Sequence, residues 1–437
     1  MSRRKYVLML IGVFLICSAL LVPMIGKPGS SATTWGGVAS VKKPPLIDPN
    51  NEAAATIRIA VSMSEAEYHY WLESNEMFEM KHPAVKVVIV NFPENAAYEA
   101  WKTAAQSGEP FDVMLLYNNR VGEFAVQGYL LPADEIYTGD MLSDQLEALT
   151  NTLKWNGSLW GVPVDSNPML IVWQSELLKR SGLNKPPDTW EDYIRGYNAL
   201  QSALPSVMPI NILLSDPRQI TAWLGAFSGR GEAAKLPPLN AKAKQQIRFL
   251  AEHRGKLAEP NSQEQTAEVL SRLRAGELMS AVMPWTVYRS NVDDSVTIAT
   301  PSKLPLAWLG GRSFVLSAQS ERLEQARLWI SQMTSVDGQV RRYQTIGTLP
   351  ARKSAYAGEF ETAAITSRPP YWALGLFKGQ ALAADPYWTA SWDRWAKLWG
   401  SVKADAFTSE TAEELIGQWN EESGAKAPLQ VDGKLDN

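Results

Sequence analysis

The 437-residue chain has one cysteine and three histidines. Cys17 lies inside an apolar run near the N-terminus, so the chain beyond it has no disulfide and no thiol chemistry. His69, His82 and His253 fall singly, outside any H-E-x-x-H or comparable metal set. The G-x-S-x-G elbow, the P-loop and the G-x-G-x-x-G fingerprint are all missing. Paired carboxylates for glycoside hydrolysis stay open, because their spacing is three-dimensional. The chain is nevertheless read as a non-enzyme that needs no cofactor or metal. Positive charge is not in excess either. Lys and Arg number 42 against 46 Asp and Glu, a net charge of −4, which leaves no basic face for nucleic acid. Charged residues make up 20% and apolar ones 45%, the proportions of a globular protein.

The chain is too long for one ordinary core, which points to two lobes. Residues 1–25 carry Arg3-Arg4-Lys5 and then an uncharged run from Tyr6 to Ile25. They read as a signal peptide or an N-terminal membrane anchor, with everything beyond residue 26 outside the membrane. Ile16 precedes Cys17 and the run continues past it, so Cys17 reads as part of an apolar helix. Residues 26–54, rich in Gly, Ser, Pro and Thr, read as a flexible tether.

From Thr56 strands and helices alternate, which argues for a mostly parallel sheet with helices on both faces. Ligands on such sheets sit at the C-terminal ends of strands. The loops concerned are Ser62–Tyr70 and Tyr117–Arg120. The stretch Trp155–Tyr193 organises the middle of the chain. Asn156-Gly157 predicts a tight hairpin, since both residues tolerate positive φ. Gly161-Val162-Pro163 is expected to break the strand, because Pro lacks the ladder N–H. Met169–Trp173 reads as a buried strand, Gly182 as a helix stop, and Asp188 with Glu191 as a capping box. Ser262 with Gln265 reads as another cap. Seventeen tryptophans are many for this length.

This order of elements resembles the extracytoplasmic solute-binding proteins of carbohydrate ABC transporters, the group that contains maltose-binding protein. Five further blocks carry the resemblance: E-P-F-D-V-M-L-L-Y (109–117), G-Y-L-L-P-A-D-E (128–135), R-A-G-E-L-M-S-A-V-M-P-W (274–285), A-R-L-W-I-S-Q-M-T-S-V-D-G-Q (326–339) and T-L-P-A-R-K-S-A (348–355). It extends from about Thr56 to Asn420. The resemblance implies an α/β, two-lobed periplasmic-binding-protein-like fold of type II, with mixed sheets flanked by helices and three hinge crossings. The crossings fall near Pro163–Asn167, Leu306–Gly311 and Gly347–Pro350. Residues 55–164 and 306–347 are expected in the N-terminal lobe, and 165–305 and 348–437 in the C-terminal lobe.

The resemblance also implies a sugar or oligosaccharide in the interlobe cleft, hinge closure, and delivery to permease subunits by a monomeric binding protein. A pyranose needs a flat ring for its C–H face and planar acceptors and forked donors for its hydroxyls. Trp285 aligns with the family's stacking tryptophan. Asn119 and Arg120 align with polar positions of the first lobe, although the family more often has Asp where Asn119 stands. Asp165 and Asn167 lie at the first crossing and Trp308 at the second. Tyr371 and Trp372 are candidates for an aromatic wall, and Glu65, Glu67 and Tyr68 follow the first strand. Two other readings share the fold: a membrane-tethered sensor coupled to a signalling partner, and a binder of a non-sugar solute such as a polyamine or phosphodiester.

Overall fold

The computed structural model describes residues 54–108, 111–227, 239–256, 263–291, 295–298, 310–361, 367–378 and 387–424. The expected signal or anchor, all but the last residue of the tether, the Ser262 cap and Trp308 lie outside them. Among the described residues, no helix is long and apolar enough to cross a membrane.

Strand β1 (Ala55–Val61) leads into helix α1 (Glu65–Lys81), which starts where the Ser64 side chain accepts from the Glu67 amide. Strand β2 (Val85–Asn91), helix α2 (Glu94–Ser107), strand β3 (Val113–Tyr117) and helix α3 (Asn118–Val126) follow. β1 pairs in parallel with both β2 and β3. Residues 118–120, expected in a loop, form the first turn of α3. Short strand β4 (Leu130–Leu131) precedes the hairpin of β5 (Lys154–Trp155) and β6 (Ser158–Leu159). Asn156 at φ +49° and Gly157 at φ +82° make its two-residue turn.

Strand β7 (Val162–Ser166) contains Pro163, contrary to the expected break. The Pro is tolerated because its missing N–H faces no complete ladder. The pairing with β11 (Gly311–Ser317) shifts register opposite it, and β12 (Leu349–Pro350) reaches only Ser166 and Asp165. The first sheet runs β12-β7-β11-β3-β1-β2, with β4 beside β11. β11 is antiparallel to its neighbours, so the sheet is mixed.

Side chains alternate across this sheet with the two-residue period of a strand. Ile57, Ile59, Val113, Leu115, Phe314 and Leu316 pack on α1 and on helix α10 (Leu323–Met333) through Trp71, Phe78 and Trp329. Ala60, Met114, Leu116 and Val315 face the other way, onto Trp101 of α2 and Phe124 of α3. The result is a three-layer α/β half. Helix α11 (Val336–Thr345) follows α10 and leads back to β12.

The second half is built on three antiparallel strands: β8 (Met169–Gln174) in the middle, β9 (Ser280–Pro284) and β10 (Val296–Ile298) beside it. Around them stand the helices Trp190–Ala203, Pro217–Ala226, Ala241–Glu252 and Trp285–Asn291. The first of these is capped by Thr189, whose hydroxyl accepts from the Asp192 amide, and not by Asp188, whose carboxylate takes the Lys185 ammonium at 2.6 Å. Trp190, Tyr193, Trp223 and Phe249 pack edge-to-face at the centre. Trp388, Trp392, Trp395 and Trp399 of the C-terminal helix Trp388–Gly400 join the same core. So do Leu146, Ala148 and Leu149, which precede the first strand of the crossing.

Candidate functional site

Chain passes between the halves at Asn167-Pro168, which separates β7 from β8; Gly347, expected at the third crossing, precedes β12, which still belongs to the first sheet. At the remaining crossing only Gly310 and Gly311 are described. The Asn167 amide donates to the Gly310 carbonyl at 3.0 Å, and a Cβ at Gly310 would lie 2.3 Å from the Asn167 oxygen. Only glycine allows that approach. Gly347 has φ +92°, and a Cβ would press on the Arg289 guanidinium.

A buried ion cluster sits against these crossings. The Arg312 guanidinium donates to both oxygens of Asp165, at 2.8 and 2.5 Å, and to both of Glu67, at 3.0 and 2.7 Å. Arg342 lies 3.4 Å from Asp165 and donates to the Val164 carbonyl. The Thr348 hydroxyl donates to Asp165 at 3.1 Å. Asp165 thereby joins the end of β7 to β11 and to the turn before β12. Two arginines balance two carboxylates. Burial pushes the Asp165 carboxyl upward, but Arg312 and Arg342 outweigh it and hold it below the usual carboxylate range.

In the same way Lys102 and Tyr98 overcome burial to lower Glu123, and Ser354 and Arg352 overcome it to lower Asp144. A carboxylate lowered in the folded state contributes stability above its unfolded pKa, and that contribution disappears as pH falls through the folded value. The melting temperature is therefore expected to hold level from pH 7 to 5 and to drop progressively below about pH 4. Calorimetric scans check this, and a level melting temperature down to pH 3 would contradict it.

Between the two halves lies a cleft of about 480 Å³. The first half contributes Tyr98 and Trp101 from α2, Tyr117 at the end of β3, Asn119 and Arg120 from α3, and Arg312 from β11. The second contributes Ser215, Asp216 and Arg218 at the start of helix Pro217–Ala226, and Trp392. Tyr117 is 38% exposed. Trp101 is buried, and its indole N–H has no acceptor among the described residues. The Tyr98 hydroxyl donates to Glu123, while the Arg120 guanidinium lies 4.3 Å over the Tyr98 ring. Arg218 donates to Asp216. Among the described residues, no three His, Cys, Asp or Glu side chains gather as a metal set.

Of the residues singled out in the sequence, Asn119 and Arg120 line this cleft. Both already have partners across it, since Arg120 donates to Asp393 and the Asn119 carbonyl accepts from Thr389. Asp165 and Glu67 belong to the ion cluster beneath. Asn167 bonds to Thr286 through both side-chain atoms, bracing the first crossing. Trp285 is 2% exposed. Its indole N–H donates to the Gly347 carbonyl and its ring lies against Trp372 and Tyr288. Tyr371 and Trp372 are about two-fifths exposed, and Glu65 is exposed at the start of α1. The Tyr68 hydroxyl donates to the Ile89 carbonyl.

None of Glu65, Glu67, Tyr68, Asp165, Asn167, Trp285, Tyr371 or Trp372 is among the residues that line the cleft. Sequence reasoning passed over Tyr98, Trp101, Asp216, Arg218 and Trp392, and named Tyr117 only within the Tyr117–Arg120 loop. Tyr117 alone had a signal, as the last residue of a buried strand running into a helix.

The family model for bacterial extracellular solute-binding proteins matches residues 74–373. An uncharacterized ABC transporter extracellular-binding protein of Pyrococcus horikoshii is 19% identical over 191 residues, 44% of this chain and 44% of that protein. A putative binding protein of Brucella abortus is 20% identical over 137 residues, 30% of this chain and 33% of that one. The chain thus spans less than half the length of the curated relatives it matches.

Among solved structures, the GacH receptor of Streptomyces glaucescens superposes with a TM-score of 0.63 at 19% identity, covering 85% of this chain and 99% of that one. The sugar-binding protein MalE of Xanthomonas citri gives 0.64 at 20% identity, covering 85% and 98%. The maltose-bound MalE3 of T. maritima gives 0.62 at 19%, covering 84% and 100%. The two halves are therefore the lobes of the type II periplasmic-binding-protein fold. With the family model matched over most of its length, the chain belongs to the bacterial extracellular solute-binding protein family.

Proposed function

We propose that the chain is the substrate-binding component of an ABC importer. It holds a carbohydrate in the interlobe cleft and presents the closed form to permease subunits outside the cytoplasmic membrane. The lobes are taken as 55–164 with 306–347 and 165–305 with 348–437, each shifted by the few residues of β7 and β12 that pair in the first sheet. Ligand contact with both lobes drives closure, because only differential contact shifts an open–closed equilibrium. The chain itself acts as a monomer without catalysis, and ATP hydrolysis belongs to other subunits.

One observation carries the reading: a cleft between two lobes lined by Tyr98, Trp101, Tyr117 and Trp392 among hydrogen-bonding side chains. Aromatic faces suit the apolar face of a sugar ring, and Asn, Asp and Arg suit its hydroxyls. Each arginine of the lining has a carboxylate partner, namely Asp393, Asp216, or Glu67 with Asp165. The surface is thus not the open cationic one a phosphodiester requires. Asp216 is likewise paired, which leaves Glu94 at the start of α2 as the lining carboxylate for a polyamine to meet.

The test is thermal unfolding of the full chain against a panel of mono- and oligosaccharides. A ligand in hundredfold excess over its dissociation constant adds about 2.7 kcal/mol of stability. Tyr117→Ala, at an exposed cleft position, is expected to weaken binding roughly three- to tenfold, from the 0.5–1.5 kcal/mol of an aromatic contact. Shifts with polyamines or phosphate esters and none with sugars would discard the carbohydrate.

A further inference from the structure

Helix Trp388–Gly400 belongs to the second lobe but touches the first. Its anchorage is one-sided. Trp395 and Trp399 are buried in the second-lobe core, and the Trp395 indole N–H donates to the Thr221 hydroxyl at 3.0 Å. Thr389, Trp392 and Asp393, spaced three and four apart, share the opposite requirement of facing α3 and the cleft. The Asp393 carboxylate accepts both arms of the Arg120 guanidinium, at 2.9 and 2.5 Å. The Thr389 hydroxyl donates to the Asn119 carbonyl at 2.8 Å. Trp392, between them in sequence, lines the cleft. The Tyr98 ring under the Arg120 guanidinium fixes its plane.

These three contacts cross from lobe to lobe and use no ligand atom. We propose that they form a latch which draws the lobes together before ligand arrives and makes this helix the end wall of the cleft, so that the site selects short ligands. The ligand-length part rests on the carbohydrate reading; the latch itself does not. A chain of sugar rings too long for the cleft of roughly 480 Å³ and running towards this helix would have to pass Trp392 and separate Arg120 from Asp393. A short one leaves the latch intact. The Asp393 carboxylate is half exposed, so the latch acts through bidentate geometry at one place and not through the strength of a buried pair.

The experiment has two arms on the full chain. In the first, spin labels on Met80→Cys and Asn198→Cys, in a Cys17→Ser background, report the interlobe distance without ligand. Both positions are exposed, one on each lobe. The latch predicts a dominant short distance, a shift of population to a longer one in Arg120→Asp, and return to the short one in Arg120→Asp with Asp393→Arg. Identical distributions in the parent and Arg120→Asp overturn it, whatever the protein binds.

In the second arm, calorimetric titration uses α-1,4-linked glucose chains of one to seven rings. Affinity is expected to fall about tenfold between two and four rings in the parent and to change less than about threefold in Arg120→Asp, the signature of a removed repulsive wall. Equal affinity of the parent for two and seven rings overturns the end wall. If the distance arm succeeds and the parent binds none of these chains or any other sugar, the carbohydrate reading fails and the latch stands.

Discussion

Arg312→Met is expected to lower stability by about 3–5 kcal/mol, the usual cost of breaking a buried ion pair from one side. The guanidinium is the only group bonded to both Glu67 and Asp165 in the described cluster. Without it, two carboxylates stay in the interior with Arg342 as the remaining counter-charge near Asp165. Methionine matches the length of the side chain, so the loss reads as electrostatic and not as a cavity. Arg312→Lys keeps the charge but not the planar fork that serves two carboxylates at once, and it is expected to fall between parent and methionine. Adding Glu67→Leu to Arg312→Met removes the carboxylate left without a counter-charge, its remaining side-chain bond being from the Trp71 indole N–H. It should recover part of the loss, giving a coupling energy of about 0.5–3 kcal/mol in the cycle. Urea unfolding midpoints of the parent, Arg312→Met, Glu67→Leu, the double variant and Arg312→Lys, five proteins in all, supply the cycle and the comparison. A loss below about 1 kcal/mol for Arg312→Met, the level of a surface pair, would show that water reaches the cluster. In the same variant Asp165 would keep its bond to Thr348 and its place in the ladder with β11, and lose only its side-chain link to residue 312.

What the sequence revealed was local. The Asn156-Gly157 turn and the Met169–Trp173 strand follow from the conformational preferences of a few adjacent residues, and both are present. Pro163 was misread because a proline's compatibility with a strand depends on which neighbour lies opposite. That neighbour, β12, arrives almost two hundred residues later and stops short of it. Asn119 and Arg120 were found as cleft residues through the resemblance, but not their partners Thr389 and Asp393, which are 270 and 273 residues away. The ion cluster was out of reach for the same reason. Glu67 and Arg312 are separated by 245 positions, and although Arg312 is the only charge between Lys303 and Glu321, nothing near it in sequence names its partners. Asp165 and Asn167 were correctly placed at a crossing, but their roles there depend on what packs against them. In this structure their side chains bond to Arg312 and Thr348, and to Thr286.

Trp285 is the residue on which sequence and geometry differ most, and Trp285→Ala separates the two readings. A stacking platform would sit with one ring face open to the cleft, and its loss would remove sugar affinity at little cost in stability. The structure instead buries the ring against Trp372 and Tyr288, at 5.6 and 5.8 Å between centroids. It also commits the indole N–H to the Gly347 carbonyl in the turn before β12, at 3.1 Å. Removing such a side chain is expected to cost about 3–5 kcal/mol. Trp285→Phe keeps most of the packing and loses the hydrogen bond, for about 1 kcal/mol. Since that bond ties the second lobe to the turn before β12 of the first sheet, Trp285→Phe should also broaden the ligand-free interlobe distance. The measurements are urea unfolding and sugar titration of both variants. A large loss of stability in Trp285→Ala, with Trp285→Phe binding nearly as the parent does, identifies a hinge brace. An Ala variant as stable as the parent but unable to bind sugar would mean that the ring swings out to face the ligand, and that the bond to Gly347 is broken whenever the cleft is filled.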